Sequence, residues 1–170
     1  MNSPISSADL KELLVQFNEK QTLQFDLQAA HEQSGSCGLA YLALWAITES
    51  FAKQLWFAHQ KAQLQVELRE WLAFMEAGSS RRPSEISTSK YKPDTVLNGP
   101  IPPKKSLTLA FPAEKAPQFY MLLDPEKKYR IRRNSIAHSG DNISMCVYEE
   151  FKVQAMAAIS EIEAWLHPKK

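Results

Sequence analysis

The chain has 170 residues, 44% of them hydrophobic and 23% charged, the profile of one domain spanning 1–170 with a core of its own. A formal net charge of +1 excludes a general basic surface of the kind that coats nucleic acid non-specifically, so any such contact is local. Two cysteines far apart, Cys37 and Cys146, exclude a C-x-x-C metal or redox pair, and no basic leader or long apolar run appears, so the chain reads as cytoplasmic, without a membrane segment.

After Pro4, the stretch SSADLKELLVQFNEKQTLQFDLQAAHEQ carries Leu10, Leu13, Leu14, Phe17, Leu23 and Leu27 at helical intervals, with Ser6 or Ser7 as its cap. SGSCG ends it. From Leu39 to about Ala77 there is neither proline nor glycine, which predicts one long helix or two with a kink. Leu42, Trp45, Ala46, Glu49, Lys53 and Trp56 share one side of it, a stripe that reads as core, with Glu49 and Lys53 an i,i+4 pair on its flank.

Residues 78–117 hold seven of the ten prolines and read as an inserted, non-helical loop region. DTVLNGP and SLTLAF fit a short hairpin turning at Asn98 and Gly99, confined by the prolines to an edge. Arg81, Arg82, Lys90, Lys92, Lys104 and Lys105 make the insertion cationic, which fits a solvated loop, with cover over an RNA backbone as the rarer alternative.

Helical spacing returns in DPEKKYRIRRNSIAHSG, with Asp124 as N-cap, Pro125 at the first position and Gly140 as the left-handed stop. A last helix runs from about Ser144 to Leu166 on a stripe of Val147, Phe151, Met156, Ile159, Ile162 and Trp165. The expectation is an all-α bundle of four to five helices with a Pro-rich, hairpin-containing insertion.

Five of the seven residues from Lys127 to Arg133 are basic, a density that costs self-repulsion and points to an anionic partner. Arg133 and His138 lie about 140° apart around one helix, whereas Asn134 and His138, four residues apart, share a face. Two copies of this helix meeting across a twofold axis would bring both sets together in one cleft. There is no H-E-x-x-H, no cysteine cluster, no carboxylate pair at ligand spacing and no glycine-rich phosphate loop, so neither a metal nor a nucleotide cofactor is expected.

Arg133, Asn134 and His138 in RNSIAHSG, followed by a final amphipathic helix, resemble the R-x(4-6)-H motif of the HEPN superfamily in its usual place near the end of an all-α bundle. LAYLALWAITESFAKQL resembles that family's earlier core helix, and the likeness covers most of the chain outside 78–117. The resemblance implies a metal-independent endoribonuclease, a toxin or defence-type effector, acting on RNA as a homodimer with a composite site and held by a cognate antitoxin. His138 is then the general acid or base, Arg133 the phosphate stabiliser and Asn134 the orienting residue, since imidazole titrates near neutrality and guanidinium offers fixed charge with paired donors. Lys128, Arg130 and Arg132 are candidate contacts to the RNA backbone, and a 2′,3′-cyclic phosphate is the expected product. The alternative is a non-catalytic module of the same superfamily that binds RNA, a nucleotide or another protein.

Overall fold

The computed structural model describes residues 5–78, 83–86 and 88–167, without the side chains of 89 and 90; Arg81, Arg82 and the Lys90 side chain, counted above among the cations of the insertion, lie outside it. All regular structure among the described residues is helical, in seven α-helices and two short 3-10 turns. Helix α1 (Ser7–Gln33) and helix α2 (Cys37–Ala77) form a long hairpin, followed by short helices α3 (Pro93–Leu97), α4 (Lys104–Leu107) and α5 (Pro117–Leu123), then α6 (Lys128–Ser139) and α7 (Met145–Leu166).

The predicted cap of α1 is Ser6, whose hydroxyl accepts from the Asp9 amide at 3.1 Å and donates to the Asp9 carboxylate at 2.5 Å. Asp9 also takes Lys61 Nζ at 2.8 Å, which ties the start of α1 to the middle of α2. At the other end Gly35, with φ 73°, turns the chain back. Between those ends Phe17 meets Phe51 edge to face, so the two helices run antiparallel around a shared core.

The expected stripe of α1 holds only in its first half, where Leu13 and Phe17 are buried. Leu23 and Leu27 are exposed, and Gln24 and Gln28 are buried instead. The second half of α1 faces α7 through polar groups: Gln28 donates to the Tyr148 hydroxyl at 2.9 Å, and Gln21 to Glu163 at 2.6 Å. Helix α7 starts where expected, with Ser144 as its N-cap, but buries Tyr148, Ala155 and Ala158 alongside Phe151, Ile159 and Ile162, leaving Met156 exposed.

Helix α2 runs unbroken for 41 residues, about 60 Å, and ends in left-handed Gly78. Its buried residues stop at Ala62, so the last four turns extend past the bundle. The chain then comes back along it: the Trp71 indole donates to the Ser84 carbonyl at 2.8 Å, and the Tyr91 hydroxyl to Glu67 at 2.5 Å.

The insertion differs most from expectation. It forms no hairpin, because the same punctuation marks helix ends: Pro93 opens α3 at its first position and Asn98 closes it, its amide bonding the Asp94 carbonyl. The SLTLAF segment coils through α4 into turns in which the Ala110 and Phe111 amides both bond the Leu107 carbonyl. Leu107, Ala110, Phe111 and Ala116 are all buried, and Phe111 meets Phe51, Phe119, Tyr120 and Trp165. The part of the insertion nearest α5 is thus core rather than loop. Helix α5 begins at Pro117, and Glu161 from α7 accepts its Gln118 and Phe119 amides, at 3.1 and 2.9 Å, where the helix dipole favours a carboxylate.

Phe111→Ala should therefore lower unfolding free energy by about 3–5 kcal/mol in a denaturant titration, whereas Leu109→Ala, 63% exposed two residues earlier, should change it by less than about 0.5 kcal/mol. Equal small losses at both positions would contradict a core role for this segment.

Candidate functional site

Helix α6 starts later than expected. Asp124 caps a turn instead of the helix: its carboxylate accepts the Glu126 amide at 3.0 Å and its carbonyl the Lys127 amide at 3.2 Å, so α6 opens only at Lys128. The predicted stop holds, with Gly140 at φ 68° in a conformation that favours glycine.

Three contacts place α6 on the bundle. The Tyr41 hydroxyl donates to the Tyr129 carbonyl at 2.7 Å, and its ring lies flat on Phe151 with centroids 3.5 Å apart. Arg130 Nη1 donates to the Leu123 carbonyl at 2.9 Å, closing the end of α5. At Gly38 a Cβ would lie 3.3 Å from Ile136 Cγ2, so glycine lets α6 approach α2 closely. Only Tyr129 and Ile136 of α6 are buried, two turns apart on one side, so the basic run is aimed along the flanks.

Those cations meet acceptors within the chain. Lys128 pairs with Glu150 of α7. Arg133 Nη2 reaches Glu49 Oε2 of α2 at 2.9 Å, and Arg133 Nη1 donates to Asn134 Oδ1 at 3.1 Å. Arg132 and Lys128 line a shallow hollow of about 380 Å³ with Ser135, Asp141 and Asn142. Of the three expected backbone contacts, Arg130 is turned inward onto Leu123, while Lys128 is exposed and Arg132 partly so.

Glu49 is the centre of the site. One carboxylate takes Arg133 at 2.9 Å, Lys53 Nζ at 3.0 Å and the Trp45 indole N–H at 2.8 Å. Burial acts to raise its pKa, but the hydrogen bond from Lys53, the Arg133 charge and the Trp45 indole outweigh it and hold the carboxyl below its usual range. It is therefore ionised at neutral pH and fixes the side chains it joins. Around it lies a cleft of about 410 Å³, with Leu42, Ala46 and Ser50 of α2, Ala137 of α6, Leu97 of α3 and Lys20 of α1 completing its walls.

Arg133 and Asn134 are thus in contact, and Arg133 faces this cleft. His138 is exposed, near the end of α6, and does not line the cleft, in keeping with the wide angle between it and Arg133. Asn134 stands between them, touching Arg133 and four residues before His138 on the same side. Among the described residues no three His, Cys, Asp or Glu side chains gather as metal ligands.

The Glu49–Lys53 pair expected from spacing is present, but the stripe from Leu42 to Trp56 is not the core expected of it. Of that stripe only Trp45 is buried; the core of α2 runs through Tyr41, Leu44, Ile47, Phe51 and Leu55, and Leu42, Ala46, Glu49 and Lys53 line the cleft. Neither the Arg133–Glu49 bridge nor the part of Lys20 was legible. A salt bridge spanning 84 positions leaves no periodic trace.

Glu49→Gln should cost about 1–3 kcal/mol at pH 7, because it leaves Arg133 and Lys53 without their charged acceptor. With a folded pKa below the unfolded one, the carboxyl adds stability above the unfolded value and loses it as pH falls through the folded value. Denaturant titrations from pH 7 down to 3 should show the wild type and the variant converging; a gap that stays constant would contradict this. Comparison of the chain with protein-family models, curated proteins and solved structures finds no match.

Proposed function

We propose that this chain is a metal-independent endoribonuclease of the HEPN type, a toxin or defence-type effector that works in the cytoplasm as a homodimer with a composite site. The observation that carries the reading is the linked set Glu49–Arg133–Asn134 at the rim of a cationic cleft, with His138 one turn further along α6 on the side of Asn134. Arg133 is oriented by a partly buried carboxylate yet remains partly exposed itself, the state of a guanidinium that can turn a second edge to phosphate.

RNA cleavage by this route removes the ribose 2′ proton, stabilises charge on the phosphorane and protonates the departing 5′ oxygen. His138 supplies the imidazole that gives or takes a proton, and Arg133 the fixed charge. Within one protomer these two point to different sides, so a second protomer, with α6 against α6, completes the site. Asn134 orients Arg133, or the histidine across the interface. Lys128 and Arg132 lie on the outer flank, where an RNA backbone would pass.

A second reading, a non-catalytic module that binds RNA or a protein, is favoured by one observation: Arg133 and Lys128 already have carboxylate partners in the chain. A cognate antitoxin would dock on the same flank.

Purified protein incubated with transfer RNA in EDTA should cut it and leave 2′,3′-cyclic phosphate ends, while His138→Ala and Arg133→Ala, prepared identically and folded, should lose at least about 100-fold in rate. Sedimentation should find a dimer at micromolar concentration. Loss of cleavage in EDTA, or equal cleavage by all three proteins, would overturn the nuclease reading; RNA binding unchanged in His138→Ala, with no cutting by any form, would establish the second.

A further inference from the structure

We propose that the cleft beside Arg133 is a subsite for one nucleotide unit of single-stranded RNA, with the base against its apolar wall and the adjoining phosphate on Lys20, Lys53 and Arg133. The inference rests on the reading of the chain as an RNA-acting protein and says which part of the substrate it grips.

Size is the first argument. About 410 Å³ lies toward the lower end of small-molecule sites, enough for one nucleotide and too little for a duplex. The walls are the second. Leu42, Ala46, Leu97 and Ala137 present an apolar surface against which one face of a base can be removed from water.

Charge is the third argument. Three cations, Lys20, Lys53 and Arg133, come from three helices to one cleft that holds a single carboxylate, Glu49, so two positive charges are left uncompensated in a chain whose net charge is only +1. Lys53 and Arg133 are bound to Glu49, whereas Lys20 makes no hydrogen bond or ion pair with the described residues. An anion entering the cleft would meet the unpaired Lys20 and the outer edges of the other two. Glu49 keeps Lys53 and Arg133 in place and repels a second charged group, so one phosphate fits and a polyanionic cluster does not.

The wall from α3 gives part of the 78–117 insertion a role. Leu97 is exposed and lines the cleft, on a helix held to α2 by buried Val96. The insertion thus supplies part of the cleft's apolar wall.

The test is calorimetric titration of the full chain with the four nucleoside 3′-monophosphates, with inorganic phosphate and with an eight-nucleotide single-stranded RNA. At least one nucleotide should bind at least about tenfold more tightly than inorganic phosphate, and the oligomer more tightly again, since it adds the flanking cations. Ala137→Trp places an indole in the cleft from an exposed position on α6, and should cut nucleotide affinity at least about tenfold with unchanged circular dichroism. Leu97→Trp should do the same from the opposite wall. Lys20→Ala should weaken binding and flatten its salt dependence. Equal affinity for phosphate and every nucleotide, or nucleotide binding untouched by both tryptophans, would overturn the subsite. Cleavage of RNA with binding untouched by the tryptophans keeps the nuclease and removes the subsite; binding lost in those variants, without cleavage by any form, keeps the subsite and removes the nuclease.

Discussion

The geometry of the site depends on how α6 is tied to α2. Tyr41 performs two tasks at once: its ring is stacked between the helices on Phe151, and its hydroxyl holds the Tyr129 carbonyl at the first turn of α6. Burial of that phenol pushes its pKa up, so it is a neutral donor at physiological pH. Two turns on, Ile136 settles against Gly38, and the approach permitted there sets the register in which Arg133 arrives beside Glu49. A Cβ at Gly38 would press on the Ile136 methyl at 3.3 Å, which would have to give by a few tenths of an ångström.

Electrostatics of α6 follow from the same placement. Five basic residues within seven positions would repel one another on an isolated helix. In the fold they are spread over separate acceptors: Lys128 on Glu150, Arg130 on the Leu123 carbonyl, Arg133 on Glu49. Internal acceptors thus account for part of a density that composition alone ascribes to an outside anion. Arg132, with no such acceptor among the described residues, and Lys20 across the cleft keep the surplus positive charge near the motif.

Helix periodicity made the frame legible: α1, α2 and α7 begin and end close to where caps, glycines and apolar spacing put them, and Ser6, Ser144, Gly78 and Gly140 act as those residue types usually do. What spacing could not give was partner choice. Leu23 and Leu27 fit a helical stripe, yet the side of α1 that meets α7 is lined by Gln24 and Gln28, because Tyr148 needs a polar neighbour. Prolines in 78–117 were read as breakers and proved to be helix starters at Pro93 and Pro117, while Phe111, far along the chain from Phe51, joined its core. The motif residues were legible as a cluster on one helix, and the angle between Arg133 and His138 already put them on different sides; that the side of Arg133 is a cleft emerged only with α2 in place.

In the mechanism proposed above, a ribose 2′ hydroxyl attacks a phosphate held by Arg133. The most direct measurement exposes a labelled RNA strand to the protein and, at any bond that is cut, repeats the reaction on the strand remade with a single 2′-deoxy sugar on the 5′ side of that bond. The account predicts that cleavage at that bond stops while neighbouring sites on the strand are still cut. Cleavage at the deoxy-substituted bond at an undiminished rate would contradict it.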